Sequence, residues 1–476
     1  MHPIIATRDV RLSAWSIAIA VFWVVFLWGF WDRGPFALGI NAAVFLALFL
    51  FGLLGGVFPA DRPLWSRRHW TWLVPFIAII AGYALYSTSV LKAVNIPVAP
   101  VLFVIFMTYA LLGDRAVHWG WEFFRVTAAR GFAWLGSLKG AVRAYSASIF
   151  GTRSANPPIR RVIVGAALFL VIVITIILPL LSSADPQFES LARPLLDFLG
   201  RLVDVETVWR VVVGAAIALL SLSLGLAWRA RVHVPESAPR SRVDAIVSGI
   251  VVGGIVVVYA LFLGIQLKRL WVSELPLDFS ETEILVKSGF WQLFALSVIN
   301  GVIFLATYAK TNPLVQRLLA AFTIASLLLV FSAAWRMALY VTFYGLSYEK
   351  FFASYTVLFS LVLFGWLVFQ FFGAKCRDLV KFAAFLFLWM YAALAVFPIE
   401  QFILRANMSL AQRPDSRIVL YEATMLSTDV LGYVEARRED PRFEGWDEWI
   451  EKNQDQLAKK AWYELTVSDI TYRASK

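Results

Sequence analysis

Long apolar stretches recur along this chain and constrain its fold more than any other feature. A helix needs about 20 apolar residues to cross the roughly 30 Å hydrocarbon core of a bilayer, and runs of that length follow one another between residues 13 and 399. Apolar residues make up 60% of the 476 residues and charged residues only 16%, whereas soluble domains carry about 25% charged residues. The sequence therefore predicts an all-α fold, a polytopic bundle of transmembrane helices.

We assign about eleven spans, with ten or twelve as the alternative because Pro75 interrupts the third. No internal repeat supports an inverted-repeat transporter fold. The spans cover residues 13–31, 36–58, 70–87, 94–113, 161–181, 209–228, 245–267, 289–309, 314–343, 352–373 and 379–399.

Lysine and arginine are unevenly distributed between alternate loops, with 22 in one set and 9 in the other. Cytoplasmic loops carry the excess in membrane proteins, so we expect the N-terminus in the cytoplasm. An odd number of spans then places the C-terminus on the extracytoplasmic side.

The chain divides into four parts by composition. Residues 1–113 form an N-terminal four-span segment, 114–160 a basic cytoplasmic loop, 161–404 a seven-span core with polar extracytoplasmic loops, and 405–476 an extracytoplasmic helical tail. The tail is small for an independent core, so we expect its helices to pack on the outer loops. A helix is predicted around 446–465, with a frayed end after about Ser468.

The basic loop contains an amphipathic pattern over residues 117–149, where apolar residues recur at steps of three and four. Such a helix, continuous or broken near Gly131 or Gly136, is typical of a segment that lies on a bilayer surface. We predict that it contacts the anionic inner leaflet, although a helix that docks a partner is the alternative. The lipid-contacting side chains would be Arg125, Arg130, Lys139 and Arg143.

Several classes of site find no support in the sequence. The chain has one cysteine and four scattered histidines, so no metal-ligand spacing is present. No nucleotide-binding loop or nucleophile elbow occurs, and we expect no cofactor. The basic excess belongs to the membrane part, because residues 405–476 hold 11 basic and 13 acidic residues. We therefore expect no nucleic-acid binding.

Arg336 stands at the end of the ninth span, about 27 Å along the helix from Leu318, and Tyr340 and Tyr344 follow on the same helical face. Two interpretations remain open. The guanidinium either extends to the lipid headgroups or occupies a polar pocket with both tyrosines and an acidic partner. Further polar residues gather at the same predicted face, where intramembrane polar groups usually find partners. The predicted outer cluster comprises Arg336, Tyr340, Tyr344, Glu349, Asp185, Gln266, Lys268, Arg269, Glu281, Glu283, Lys287, Gln292 and Asn300.

These motifs resemble a bacterial polytopic membrane family known as domain of unknown function 4173, related to 4153. The resemblance covers about residues 160–435 and rests on "SSADPQF", "QLKRLW", "KSGFWQL" followed by Asn300, "RMALYVTFYGLSYEKF", "RANMSLA" and "MLSTDVLGYV". The chain departs from the family pattern at Lys287 and Ser288, where an arginine and an acidic residue are frequent. The resemblance implies a bacterial inner-membrane protein and brings no established activity.

Three functions remain open on the sequence. A non-enzymatic envelope sensor or scaffold, with a protein partner in the envelope, is favoured. A transporter or lipid-handling protein with an outward-facing polar cavity is the alternative. An intramembrane enzyme using Asp185 or Glu281 is the least favoured, because no nucleophile or diagnostic carboxylate pair is present. A packed bundle among spans seven to ten would favour the scaffold, and a groove there would favour transport.

Overall fold

Helices form the framework of the protein, as the apolar runs predict. The computed structural model describes residues 3–57, 67–112, 121–150, 205–229, 244–270, 295–308, 310–372, 379–420 and 425–476, with isolated positions 165, 169, 173 and 177. No strand occurs in these ranges. The predicted all-α polytopic helical bundle is confirmed.

Twelve helices in the described ranges form the membrane part of the structure. They are α1 (Pro3–Phe26), α2 (Phe30–Arg33), α3 (Ile40–Val57), α4 (Arg67–Leu85), α5 (Ser89–Leu112), α6 (Trp121–Phe150), α7 (Val205–Arg229), α8 (Ala245–Leu270), α9 (Ala295–Thr307), α10 (Pro313–Tyr344), α11 (Tyr348–Phe372) and α12 (Leu379–Val396).

Seven of the described helices are long and apolar enough to cross a membrane. An eighth span results if α1 and the short helices after it count as one span, bent by 54°. The apolar parts of α4 and α9 are shorter than a full span. The predicted span 161–181 falls outside the described residues except at isolated positions. The multi-pass architecture is thus confirmed, while the total of eleven stays a prediction.

Helix α6 covers the segment that is predicted to be an amphipathic helix. It runs unbroken through Gly131 and Gly136 and packs along α7. The Tyr145 hydroxyl lies 2.6 Å from Ser16 Oγ in α1 and donates to the Ala218 carbonyl at 3.2 Å. Ser16 lies ten residues from the end of α1, about 15 Å along the helix, so α6 contacts α1 well away from that helix end.

The side chains of α6 divide between lipid-facing and buried positions. Phe132, Leu135 and Val142 of the predicted apolar stripe are exposed, as expected for a face that lipid covers. Arg130 is only 6% exposed and donates to the Ala227 carbonyl at 3.2 Å. Its guanidinium therefore binds the end of α7, and its contact with the leaflet stays a prediction. Three of the four predicted side chains remain candidates for lipid contact because they are exposed, namely Arg125, Lys139 and Arg143.

The C-terminal region forms a compact helical unit, which we call the cap (residues 399–420 and 425–476). It contains α13 (Ile399–Leu410), α14 (Leu431–Glu435), α15 (Asp447–Ala458) and α16 (Val467–Ala474). The frayed end predicted after Ser468 is wrong. Thr466 and Asp469 cap the start of α16 reciprocally, which satisfies amide groups that a helix end leaves unbonded.

Helix α13 joins the cap to the bundle through its two apolar faces. Ile399 and Ile403 pack into the core of the membrane part. Leu404 and Met408, on the next turn, pack into a separate core inside the cap with Trp446. Burial of apolar area stabilises both cores, so one helix contributes to the stability of each.

The cap covers the turns before α3, α5 and α11, where it bonds Ile40, Ser87 and Leu346. The Ile40 amide donates to the Leu465 carbonyl at 3.1 Å, and Asn407 Oδ1 accepts from the Leu346 amide at 2.6 Å. A Cβ on Gly39 would lie 2.1 Å from the Glu464 carbonyl oxygen. Glycine is therefore required there for the close approach of two backbones.

Candidate functional site

Five ionisable residues are buried together where the cap meets the bundle, and we call this set the junction. Each is at most 7% exposed, although such residues are almost never fully buried unless they are paired. The membrane part supplies one and the cap supplies the other four: Lys92, Glu400, Asp429, Lys460 and Asp469.

Asp429 binds the turn that precedes α5. Both of its carboxylate oxygens accept from the Ser87 amide at 2.8 Å, and Oδ2 also accepts from the Thr88 hydroxyl at 3.1 Å. A carboxylate at the amino end of a helix is favoured by the helix dipole. Burial raises the pKa of Asp429 above its ordinary value, although the Ser87 amide and the Lys92 charge oppose that shift.

Asp469 forms the centre of a second set of contacts. It pairs with Lys460 at 2.8 Å and accepts hydrogen bonds from the hydroxyls of Ser87 at 2.9 Å and Thr428 at 2.6 Å. Burial disfavours the charged carboxylate, but the Lys460 ammonium and these donors outweigh it, so the pKa of Asp469 lies below its ordinary value. Asp469 is therefore charged and bound to both the cap and the bundle.

Glu400 opens α13 and is 1% exposed. Its Oε1 accepts from the Tyr348 hydroxyl at the start of α11, and its Oε2 accepts from the Ser427 amide at 2.7 Å and hydroxyl at 2.6 Å. Burial, followed by the charge of Asp429, raises the pKa of Glu400 to about 8. The site thus holds a carboxyl group that changes charge near neutral pH.

Lys92 is the only member of the junction that a membrane helix carries. It lies in α5, is 3% exposed, and donates from Nζ to the Leu38 carbonyl. An ammonium group at this position is costly without negative charge nearby. The cap provides that charge through Asp429 and Asp469.

The junction therefore balances three carboxyl groups against two ammonium groups, which favours a proton on one carboxyl. Within the described residues no three His, Cys, Asp or Glu side chains are arranged to hold a metal ion. What the arrangement can do is take up and release a proton, with Glu400 as the carrier.

A further ion pair lies beside the junction. Arg33, in the turn after α1, binds Glu464 of the cap through both carboxylate oxygens, with NH1 to Oε2 at 2.8 Å. The Glu464 side chain is 1% exposed while Arg33 is 41% exposed. A two-point contact of this kind fixes the guanidinium plane, so Arg33 is held in one orientation at the edge of the cap.

The predicted tyrosine pair is present, with a different cation from the one expected. Tyr340 and Tyr344 are buried with ring centroids 5.4 Å apart. Lys350 Nζ lies 4.7 Å from the Tyr340 ring and donates to the Tyr344 carbonyl at 3.1 Å. Arg336 is half-buried and Glu349 exposed, and the ion pair predicted for Arg336 stays a prediction.

Asn300 is the one other predicted site residue whose side chain the structure describes. Asn300 is buried between membrane helices, accepting from Tyr259 at 2.6 Å and donating to Ser326 at 2.9 Å. The side chains of the remaining predicted residues are not among those that the structure describes: Asp185, Gln266, Lys268, Arg269, Glu281, Glu283, Lys287 and Gln292.

The sequence analysis did not select the junction, although it contained a signal for it. Lys92 is a charged residue at the start of an apolar run, and Glu400 follows the last span by one residue. Ionisable residues at membrane depth are candidates for function by default. Their partners could not be chosen, because Ser87 and Asp429 are 342 positions apart.

Removing one partner of a buried ion pair should destabilise the protein far more than removing one of an exposed pair. Asp469→Asn leaves the buried Lys460 ammonium without its carboxylate and should cost about 3–5 kcal/mol. The matched control is Asp455→Asn, which breaks the exposed pair with Lys459 and should cost about 0–1 kcal/mol. Thermal unfolding in detergent measures both, and equal losses would contradict the buried pairing.

Stability should fall as pH rises, because the folded state holds the Glu400 proton more tightly than the unfolded chain. The effect should extend from about pH 4.5, the ordinary pKa of the group, to about pH 8. Its slope would approach about 1.4 kcal/mol per pH unit. Glu400→Gln should flatten this slope, and the exposed Glu448→Gln should leave it unchanged. A steep slope that persists in Glu400→Gln would assign the proton to another group.

Comparison with known proteins places the chain in a family. The family described as domain of unknown function 4153 matches residues 73–435, a longer stretch than the resemblance covers. The match does not show family 4173. No curated protein and no solved structure matches the chain. Lys92, Glu400 and Asp429 lie inside the matched region, whereas Lys460 and Asp469 lie beyond it. Because the match spans most of its length, the chain belongs to the family of domain of unknown function 4153.

Proposed function

We propose that the protein is a non-enzymatic sensor or scaffold of the bacterial envelope, situated in the inner membrane. The cap would be extracytoplasmic and provide the recognition surface for an envelope partner. On the cytoplasmic side, the protein would contact the anionic lipids of the inner leaflet. The junction carries this proposal, because it joins the cap to the bundle through charges that neither part could bury alone. A change in the cap therefore acts directly on the ends of membrane helices.

The packing of the bundle supports a scaffold more than a transporter. Tyr259 and Phe322 stack with ring centroids 5.8 Å apart, and Phe304 packs in the same core. Asn300, the polar residue inside this region, has its amide group bonded to two neighbouring helices. A satisfied amide inside a packed core serves structure, whereas a transport pathway needs polar groups that face a cavity.

The second candidate is a lipid-handling protein. A cleft of about 250 Å³ opens at the edge of the cap, beside Arg33 and Lys460. This volume is slightly below the range usual for small-molecule sites, about 300–1,000 Å³. Among the described residues, none that lines the cleft belongs to the core around Asn300, so we place lipid handling second.

The orientation of the chain should follow the bias of its basic residues. With 22 lysines and arginines in one set of loops and 9 in the other, the C-terminus should face the periplasm. Alkaline phosphatase fused after Lys476 should then be active in a bacterial host, and the same enzyme inserted in the 114–160 loop should be inactive. The opposite pattern of phosphatase activity would show that the C-terminus faces the cytoplasm.

Coupling between cap and membrane helices is the direct test of the sensor proposal. Asp429→Asn weakens the bond to Ser87, so backbone amides at the start of α5 (residues 89–95) should exchange with deuterium about tenfold faster in nanodiscs. Asp415→Asn is the control, because it changes an exposed ion pair of the cap. Faster exchange confined to residues 425–431 would show a cap that moves without the bundle and would exclude a sensor of this design.

A further inference from the structure

Three cationic side chains line the cleft at the edge of the cap. Arg33 comes from the turn after α1, and Lys459 and Lys460 come from the end of α15. Hydroxyl groups of Ser87, Ser427 and Thr428 complete the polar wall. No carboxylate lines this cleft among the described residues.

Each of these cations is paired with a carboxylate, and the partner of Lys459 is the exposed Asp455. Glu464 holds Arg33 from the buried side and is 1% exposed, and Asp469 holds Lys460 and is fully buried. Lys460 Nζ also donates to Ser87 Oγ at 3.1 Å. Two of the three cationic groups are thus fixed in place before any ligand arrives, which reduces the entropy lost on binding.

Exposed aromatic side chains border the same cleft. Phe36 lines it and is 47% exposed. Trp462 is not part of the lining but follows Lys460 by two positions in the chain and is 72% exposed. The neighbouring Tyr463 packs edge-on against Phe26, the last residue of α1, with ring centroids 5.3 Å apart. Aromatic residues at the end of a membrane helix are typical of the level of the lipid headgroups.

We propose that this cleft binds the phosphate headgroup of an anionic membrane lipid. The phosphate would accept from Arg33 and Lys459, since guanidinium and ammonium donors suit phosphate oxygens. The acyl chains would leave past Phe36 and Trp462 along the exposed surface of α1. This lipid would be the ligand of the proposed sensor. Lipid binding can be measured without a partner protein or a signal.

The test uses the purified full-length protein in detergent. Dioctanoyl phosphatidic acid is titrated while bound lipid is counted by native mass spectrometry, with dioctanoyl phosphatidylcholine and inorganic phosphate as parallel arms. Saturable binding of the anionic lipid, with weaker binding in both other arms, is the expected result. Equal binding of inorganic phosphate would overturn the lipid assignment, and the absence of saturable binding would overturn the site.

Two charge-reversal variants separate the cleft from general electrostatic attraction. Lys459→Glu should weaken lipid binding about tenfold, the loss expected for a hydrogen bond to a charged group. Lys452→Glu, two turns earlier on α15, makes the same change in net charge outside the cleft. Both lysines are exposed, so both variants should keep the unfolding temperature of the wild type. Equal loss in the two variants would contradict the proposal.

The apolar half of the site has its own variant. Trp462→Ala should weaken binding of the lipid and leave the response to inorganic phosphate unchanged, because only the lipid has chains to pack there. An unchanged affinity for the lipid would remove the acyl contact from the proposal. If lipid binding fails while Asp429→Asn still alters α5, the sensor proposal stands without this ligand.

Discussion

The pairing of buried charges across the boundary between cap and bundle is the interaction on which the rest of this structure depends. Desolvating a carboxylate or an ammonium group costs several kcal/mol even after relaxation, and only a well-placed partner offsets that cost. Lys92 in the bundle lacks a carboxylate on its own helix, and Asp429 and Asp469 in the cap rely on donors of the bundle. Each part is therefore an incomplete structure without the other.

The same dependence explains why so small a cap is ordered to its last helix. A unit of this size buries a limited core, here centred on residues such as Val430, Trp446 and Leu457. Helix α16 adds little apolar burial, yet its Asp469 is fully buried between Lys460, Thr428 and the bundle. The frayed end predicted from the sequence neglected this polar anchor, since apolar periodicity does not register it.

How much could be predicted from sequence depends on whether a residue's partners are near it in the chain. Spans such as α3 and α12 follow from local apolar content, and the structure has them where hydropathy predicts. The contacts of helix α6 could not be predicted, because the partners of Tyr145 and Arg130 lie 129 and 97 positions away.

The predicted cluster around Arg336 shows the same dependence on local spacing. Helical spacing joined Arg336 to Tyr340 and Tyr344, whereas the cation on the Tyr340 ring reaches back from the next helix as Lys350. Spacing rules describe one helix and cannot include contacts across a turn. Lys92 and Glu400 were visible as ionisable residues in apolar surroundings, but the fold alone brings Asp429 to them.

The proposed cleft and the junction share two residues, and this sharing links a ligand to the helix ends. Lys460 and Ser87 line the cleft and also hold Asp469. A phosphate that drew Lys460 towards the cleft would leave Asp469 with less neutralising charge and raise its affinity for a proton. A protonated Asp469 would accept more weakly from Thr428 and Ser87, since hydrogen bonds to a charged acceptor are the stronger kind. Occupancy of the cleft would thus loosen the turn before α5, where the cap also holds Ser87 through Asp429.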